Sequence, residues 1–418
     1  MKSSVAWLLS EKLLRVLNGI LVGAAVARHL GPESFGLLAV ALASIGVFTA
    51  TAGMGAEQVH ISEFAKRTTV DQKFFSSILL ARIIWAIFVA TVGLAFVMTR
   101  DDGVIDPLYL VLLPVVSLAA FSLYANTIAS YAEFRSMCML AISVLLFGSA
   151  LRLYGVFSGY GVTYFAACLV IESVIGIVLN GIYLYRKYQL NPLSLVAEVV
   201  EIKRYLKLSL PMAVTAGLVT IYLRLEIFIV NNCLGEEAAG HWAAAMMFVS
   251  PWGMVAVSIL PVANQYLSKN QNVINFKYEE GLIKLIRLMA LASILFILIN
   301  IASVTVLTPV LLGEKYMAIK DVVAICSLSL LPLFMGSVQD VWSAQQRTTK
   351  TLLYKIALGL PLSATLLWFG ATYYGLKGVA FGVVVAHIVT VVVLNYFMDK
   401  KYLSIQLRAF GFKSSIKY

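Results

Sequence analysis

Apolar runs of some twenty residues, divided by short polar breaks, recur along nearly the whole chain. They predict twelve helices, at 5–27, 35–56, 77–98, 108–132, 140–158, 164–185, 208–232, 239–262, 285–308, 320–344, 353–373 and 377–398. At 1.5 Å per residue, each is long enough to cross a hydrocarbon layer about 30 Å thick with some adjustment at its ends. Two of the breaks share a phrase: LGPESFG at 30–36 and LGEEAAG at 234–240, with six identities in the sixteen positions that align 28–43 with 232–247. One copy follows the first predicted helix and the other the seventh, so six crossings separate them and both emerge on the same face. The pattern is that of a parallel duplication. It predicts an all-α integral membrane protein of about twelve transmembrane helices, arranged as two parallel six-helix bundles around a central cleft.

Composition agrees with that class and excludes others. Hydrophobic residues are 61% and charged residues 13%, against roughly 45–50% and 25% in soluble domains. Twelve spans leave no room for a soluble catalytic domain. The net charge of +11 would fit a nucleic-acid partner if it were gathered in one patch, but its distribution is topological. With residues in the first few positions of a span counted with the adjoining loop, 22 of the 32 basic residues lie on one set of loops and ends, five on the other and five deeper within spans. Basic loops stay in the cytoplasm, so both termini are expected there. The first thirty residues end in Ala25, Val26 and Ala27, as a signal peptide might be cut, but Glu11, Lys12 and Arg15 interrupt the apolar stretch and an uncleaved first helix is expected. Cys138, Cys168, Cys233 and Cys326 are scattered, with no disulfide or metal spacing.

The domain reading is a first bundle over 1–185, a linker over 186–207, a second bundle over 208–398 and a basic tail over 399–418. In the linker, Leu195, Val199, Ile202 and Leu206 recur at helical spacing and predict an amphipathic helix on the cytoplasmic surface. The tail interleaves Tyr402, Phe410, Phe412 and Tyr418 with basic residues; it reads either as a second surface helix or as a topogenic or disordered end. Gly31 and Gly36 are expected to shape the turn of the repeated phrase, with Glu33 and Glu237 capping the helices that follow.

Charge inside a span is the informative signal, because it costs about 2.5–3.5 kcal/mol on insertion scales and then faces a cavity or a partner. Glu11, Lys12, Arg15 and Asn18 fall on one stripe of the first helix. That stripe either faces the cleft or is occupied by a local Glu11–Arg15 pair. Arg224 and Glu226 lie near mid-depth in the seventh helix, two residues apart and so pointing to nearly opposite sides; which of them faces the cleft stays open. Arg152 and Glu172 in the fifth and sixth helices either pair with each other or serve a ligand. Arg82 and Asp340 sit near inner ends, where snorkelling or pairing accounts for them. His387 reads as a hydrogen-bonded structural histidine or a proton relay. No phosphate loop, nucleophile elbow or metal cluster is present.

The segments ARHLGPESFG, TAGMGAEQVHISEFAKR, IYLRLEIFIVNNCLGEEAAGHWAAA and LTPVLLGEKYMAI, with the span count and the duplication, resemble the bacterial polysaccharide export proteins. More narrowly, the chain resembles O-antigen flippases of the Wzx type, in the multidrug/oligosaccharidyl-lipid/polysaccharide (MOP) exporter superfamily. The resemblance implies a multi-pass protein of the bacterial inner membrane that moves an undecaprenyl-diphosphate-linked oligosaccharide to the periplasmic leaflet by alternating access, without a cofactor. It implies coupling to a proton or sodium gradient or to the membrane potential, and other polysaccharide-assembly proteins as partners beside the lipid bilayer. The diphosphate and sugar would be held by Arg15, with Lys12, Arg152, Arg224 and Asn18 as further candidates. Glu172 and Glu226 are the candidates for ion coupling. The family's cationic cavity is matched only in part, since away from their first few loop-side positions the spans carry five basic residues (Lys12, Arg15, Arg82, Arg152, Arg224) and four acidic ones (Glu11, Glu172, Glu226, Asp340). The alternatives are a small-molecule exporter of the multidrug and toxin extrusion (MATE) type and, from another class, a membrane-embedded O-antigen polymerase or acyltransferase. Short outer loops argue against the enzyme.

Overall fold

Hydrocarbon offers no hydrogen-bond partners, so a spanning chain must satisfy its backbone internally, and continuous helices do this. The computed structural model describes residues 2–55, 71–99, 107–191, 194, 196–270, 275–346 and 349–411, and all regular structure among them is helical. In chain order the helices are α1 (Lys2–Ala52), α2 (Gln72–Met98), α3 (Pro107–Leu118), α4 (Ser122–Ser130), α5 (Phe134–Ser158), α6 (Val162–Tyr188), α7 (Val199–Leu234), α8 (Glu236–Asn270), α9 (Asn275–Leu307), α10 (Ile319–Ser327), α11 (Leu330–Gln346), α12 (Thr349–Ile388), α13 (Leu394–Met398) and α14 (Lys400–Ala409).

The twelve expected passes are all represented. α1 carries the first two, bent where Gly31 adopts φ 76°. α12, a π turn and α13 carry the last two, bent at Gly375 with φ 60°. The fourth pass is α3 joined to α4 by a 3-10 turn at Ala119–Phe121, and the tenth is α10 followed by α11. The stretch 56–67, with its basic pair Lys66 and Arg67, and the loop bearing Arg100 lie outside the described residues, as do Phe412 and Tyr418.

Two compact units form: Met1–Leu30 with Leu37–Arg224, and Gly31–Gly36 with Leu225–Tyr418. In the first, Ala41, Ala52, Leu112, Val116, Ala120 and Ala166 make one apolar core, where small side chains let helices approach closely. A second core gathers Met54, Phe75, Ile78, Leu123, Leu184, Tyr205 and Ala213. Arg82 does not snorkel. It is 1% exposed and donates to the Gly53 carbonyl at 2.9 Å and to Ser122 Oγ at 2.7 Å, joining α2 to the end of α1 and the start of α4. Residues 199–207 of the expected surface helix are the first turns of α7. Ile202 and Leu206 of the expected apolar face pack on the second core, whereas Val199 is exposed and Leu195 lies outside the described residues.

The second unit explains the repeated phrase. A Cβ on Gly36 would stand 1.9 Å from the Glu236 carbonyl oxygen, and one on Gly240 would stand 1.8 Å from that of Pro32. Each glycine thus meets the counterpart of the residue that meets its partner, the reciprocal contact of a local two-fold axis. Gly31 shapes the turn as expected, whereas Gly36 is a close-packing position inside the helix. The tail also folds: α14 is capped by Asp399, whose carboxylate accepts from Tyr402 N at 2.9 Å. Tyr402, Ile405 and Gln406 are buried, and Arg408 pairs with Glu279 at 2.6 Å. Asn395 donates to Gln406 at 3.1 Å and accepts from Gln339 at 2.7 Å, so the buried amide of Gln406 finds its partners within the unit.

Between α4 and α5, Glu133 accepts from Lys187, Tyr183 and, at 2.7 Å, Tyr188. Burial pushes this carboxyl up, but those hydrogen bonds and the Lys187 charge outweigh it and hold the pKa at about 2 instead of 4.5. A depressed folded value means that the stabilisation is full above the unfolded pKa and is lost as pH falls through the folded one. In detergent, the excess unfolding temperature of wild type over Glu133→Gln should therefore be constant from pH 7 to 5. It should shrink between 4.5 and about 2; a gap unchanged at pH 3 would contradict the ionised cluster.

Candidate functional site

Residues 11, 15 and 18 follow one another on one face of α1 at spacings of four and three. Arg15 donates to Glu11 Oε1 from Nε at 2.9 Å and from Nη2 at 2.5 Å. A turn further on, Asn18 Oδ1 lies 2.6 Å from Ser149 Oγ of α5. From α5, Arg152 donates through Nη2 to Glu172 Oε2 of α6. Both local pairings anticipated from the sequence are therefore present.

These three helices line an open cavity of about 570 Å³, a volume in the range of small-molecule sites. Arg15, Asn18, Arg152, Glu172 and Ser173 supply its polar lining, and Val22, Val144, Leu145 and Leu169 its apolar wall. A second cavity of about 250 Å³ shares Ser173 and Gly176 with it and adds Thr49, Ser122 and Asn180. Each arginine of the larger cavity holds one carboxylate. The site is therefore balanced in charge while still presenting two guanidinium groups, which bind phosphate oxygens in forked geometry. Among the described residues no cluster of three His, Cys, Asp or Glu side chains is placed to hold a metal ion.

The structure thus brings together Arg15, Asn18, Arg152 and Glu172 and leaves three candidates elsewhere. Lys12 is exposed on α1 and is not among the lining residues. Arg224 is exposed on α7 and belongs to the first unit. Glu226 is half-buried in the second unit, close to Cys326. His387 Nδ1 lies 2.8 Å from the Val383 carbonyl one turn back, the structural arrangement.

Sequence reasoning missed Gly148. A Cβ there would stand 2.6 Å from Glu172 Cδ and 2.7 and 2.9 Å from its two oxygens, so the carboxylate occupies the space a side chain would take. Its one sequence signal is that it precedes Arg152 by four residues and so shares that face of α5. The other missed members are Ser173, which lines the cavity next to Glu172 in the chain, and Ser149, which bonds Asn18 and lies one turn before Arg152.

The family described as polysaccharide biosynthesis protein matches residues 25–321 of the chain. No curated protein matches it. Among solved structures, an inward-facing multidrug resistance MATE family transporter of the MOP superfamily aligns with TM-score 0.70 at 16% identity, covering 97% of this chain and 99% of that one. The lipid II flippase MurJ, in an inward closed conformation, aligns with TM-score 0.72 at 14% identity over 98% and 91%. A mutant of the MATE transporter VcmN of Vibrio cholerae aligns with TM-score 0.59 at 15% identity over 98% of both chains. Identities this low establish a shared fold alone, the one this chain has in common with these transporters.

Proposed function

Because this chain belongs to the polysaccharide biosynthesis protein family and is a multi-pass membrane protein with the MOP fold, we propose that it is a flippase for an undecaprenyl-diphosphate-linked oligosaccharide, such as an O-antigen repeat unit. It would carry this lipid from the cytoplasmic to the periplasmic leaflet of the bacterial inner membrane by alternating access, as a transporter and not an enzyme. The observation that carries the reading is the convergence of Arg15 and Arg152 on one cavity within a spanning bundle. A diphosphate cannot shed its water into hydrocarbon without replacement donors, and two guanidinium groups supply them while the lipid tail stays in the bilayer. Serine and asparagine hydroxyl and amide groups at the same wall suit sugar hydroxyls. An inside-negative potential adds an outward push of about 2.3 kcal/mol per charge per 100 mV, which favours export of a dianion.

The test is translocation of a labelled undecaprenyl-diphosphate oligosaccharide in proteoliposomes of known orientation, read by an impermeant reagent added outside. Protein-dependent appearance of label on the far leaflet supports the assignment. Export of organic cations without movement of the lipid would transfer it to the small-molecule exporters.

A further inference from the structure

Glu172, which lines the cavity, and Glu11, which adjoins it through Arg15, have no role in holding an anion, yet each sits on one of the arginines that the anion needs. We propose that Glu172 and Glu11 are internal counter-anions, which occupy Arg152 and Arg15 while the cavity is empty and are exchanged for substrate phosphate oxygens when it fills. The inference rests on the reading of this cavity as the headgroup site.

The physical need is plain. A transporter must pass through an empty state, and a bare guanidinium within a membrane bundle is costly, whereas a paired one is tolerated. A substrate dianion removes that need for a time, and the carboxylates restore the neutrality after release. A permanent structural pair would neutralise the charge equally well, so geometry has to decide between the two.

Three features favour exchange. First, both contacts line or adjoin the cavity and remain partly accessible: Arg152 and Glu172 side chains are 22% and 16% exposed, and those of Arg15 and Glu11 are 54% and 14%. Second, each acid approaches its arginine through a single oxygen, Glu172 Oε2 at one nitrogen of Arg152 and Glu11 Oε1 at two nitrogens of Arg15, so neither pair uses both carboxylate oxygens in the parallel fork that would hold a guanidinium most firmly. Third, the Glu172 carboxylate rests against the bare α-carbon of Gly148. It has been given a seat, from which a flexible side chain can swing without disturbing the backbone. The exchange also sets selectivity. A diphosphate offers both arginines a replacement at once, while a monoanion releases one carboxylate and leaves the other pair intact.

The proposal predicts that removing the internal competitor tightens anion binding, the opposite of what loss of a structural pair does. The full chain in detergent is titrated with inorganic pyrophosphate at constant ionic strength and followed by its unfolding temperature, with sulfate at equal ionic strength as the control. Glu172→Gln should unfold at lower temperature than wild type when empty, recover on adding pyrophosphate, and bind it about tenfold more tightly or better. Gly148→Ala keeps the charge but evicts the carboxylate from its seat, at little cost to packing because the atoms in its way end a flexible side chain. It should shift affinity in the same direction by a smaller factor, and it tests the idea if Glu172→Gln fails to fold. Arg152→Gln should bind less tightly than wild type. Binding by wild type with no gain in either Glu172→Gln or Gly148→Ala overturns the exchange and leaves the headgroup site standing. Absence of pyrophosphate binding in every protein, or binding unaffected by Arg152→Gln, overturns the headgroup site and the exchange together.

Discussion

Arg152→Ala should lower the rate at which the proposed substrate, a lipid-linked oligosaccharide, is translocated, by ten- to a hundredfold at matched incorporation in proteoliposomes. The magnitude follows from the loss of a hydrogen bond to a charged group, about 1.5–3 kcal/mol, with about 1.4 kcal/mol for each factor of ten. The same substitution leaves Glu172 without its partner, so some loss of stability accompanies the loss of rate. A second variant separates the two effects. Arg152→Ala with Glu172→Ala removes both members of the pair, and it should regain most of the unfolding temperature while transport stays low. Arg152→Lys keeps the charge but not the planar fork and should fall between alanine and wild type. Arg15→Ala should reduce transport as well, by a smaller factor, since Arg15 is the more solvated of the two arginines and water replaces part of what it supplies. Full transport by the double variant would show that the pair is structural and that the headgroup binds elsewhere.

How far these features were legible in the sequence depends on how local their cause is. The twelve passes could be read because one requirement, internal satisfaction of the backbone in hydrocarbon, writes itself as a run of apolar residues. The Glu11–Arg15 pair could be read because a spacing of four places two side chains together on any helix. Arg152 with Glu172 was one of two open readings, since opposite charges on successive helices suggest a pair without showing which way the helices turn. That rotation decides which charges converge, and it is set by the packing of α1, α5 and α6, so the sequence could not separate Arg15 and Arg152 from Lys12 and Arg224. Gly148 was hidden for a related reason: its contribution is an absent side chain opposite a residue on another helix. The tail shows the same limit. Its amphipathic pattern was visible, but Gln406 finds its partners at Asn395 and Gln339, and only the folded unit brings these together.

Gly240→Ala should be among the most damaging single-methyl changes in the chain, and the reason answers why one phrase is written twice. Its Cβ would lie 1.8 Å from the Pro32 carbonyl oxygen, 2.7 Å from the Pro32 carbonyl carbon and 3.0 Å from Gly36 N. All three are backbone atoms, so no rotamer change relieves the overlap and two helix ends have to move apart. Overpacking in a core that can yield costs 1–3 kcal/mol; a collision between two backbones should reach about 3 kcal/mol or more, enough to remove most of the folded protein from a detergent extract. Gly36→Ala should match it, because its Cβ meets the Glu236 carbonyl oxygen at 1.9 Å in the symmetric contact. Gly31→Ala makes the useful contrast. Nothing lies within 4 Å of its Cβ, and its penalty is the backbone itself, φ 76° with ψ 169°, a region essentially reserved for glycine and worth about 1–3 kcal/mol. Fluorescence-detected gel filtration and unfolding temperatures of the three variants should therefore order them with Gly240→Ala and Gly36→Ala below Gly31→Ala. If Gly31→Ala proved the worst, the turn and not the close approach would be what the repeated phrase preserves. The expected order assigns the first glycine of each phrase to the bend and the second to the contact, so that a duplicated sequence meets its own copy at the one place where neither can carry a side chain.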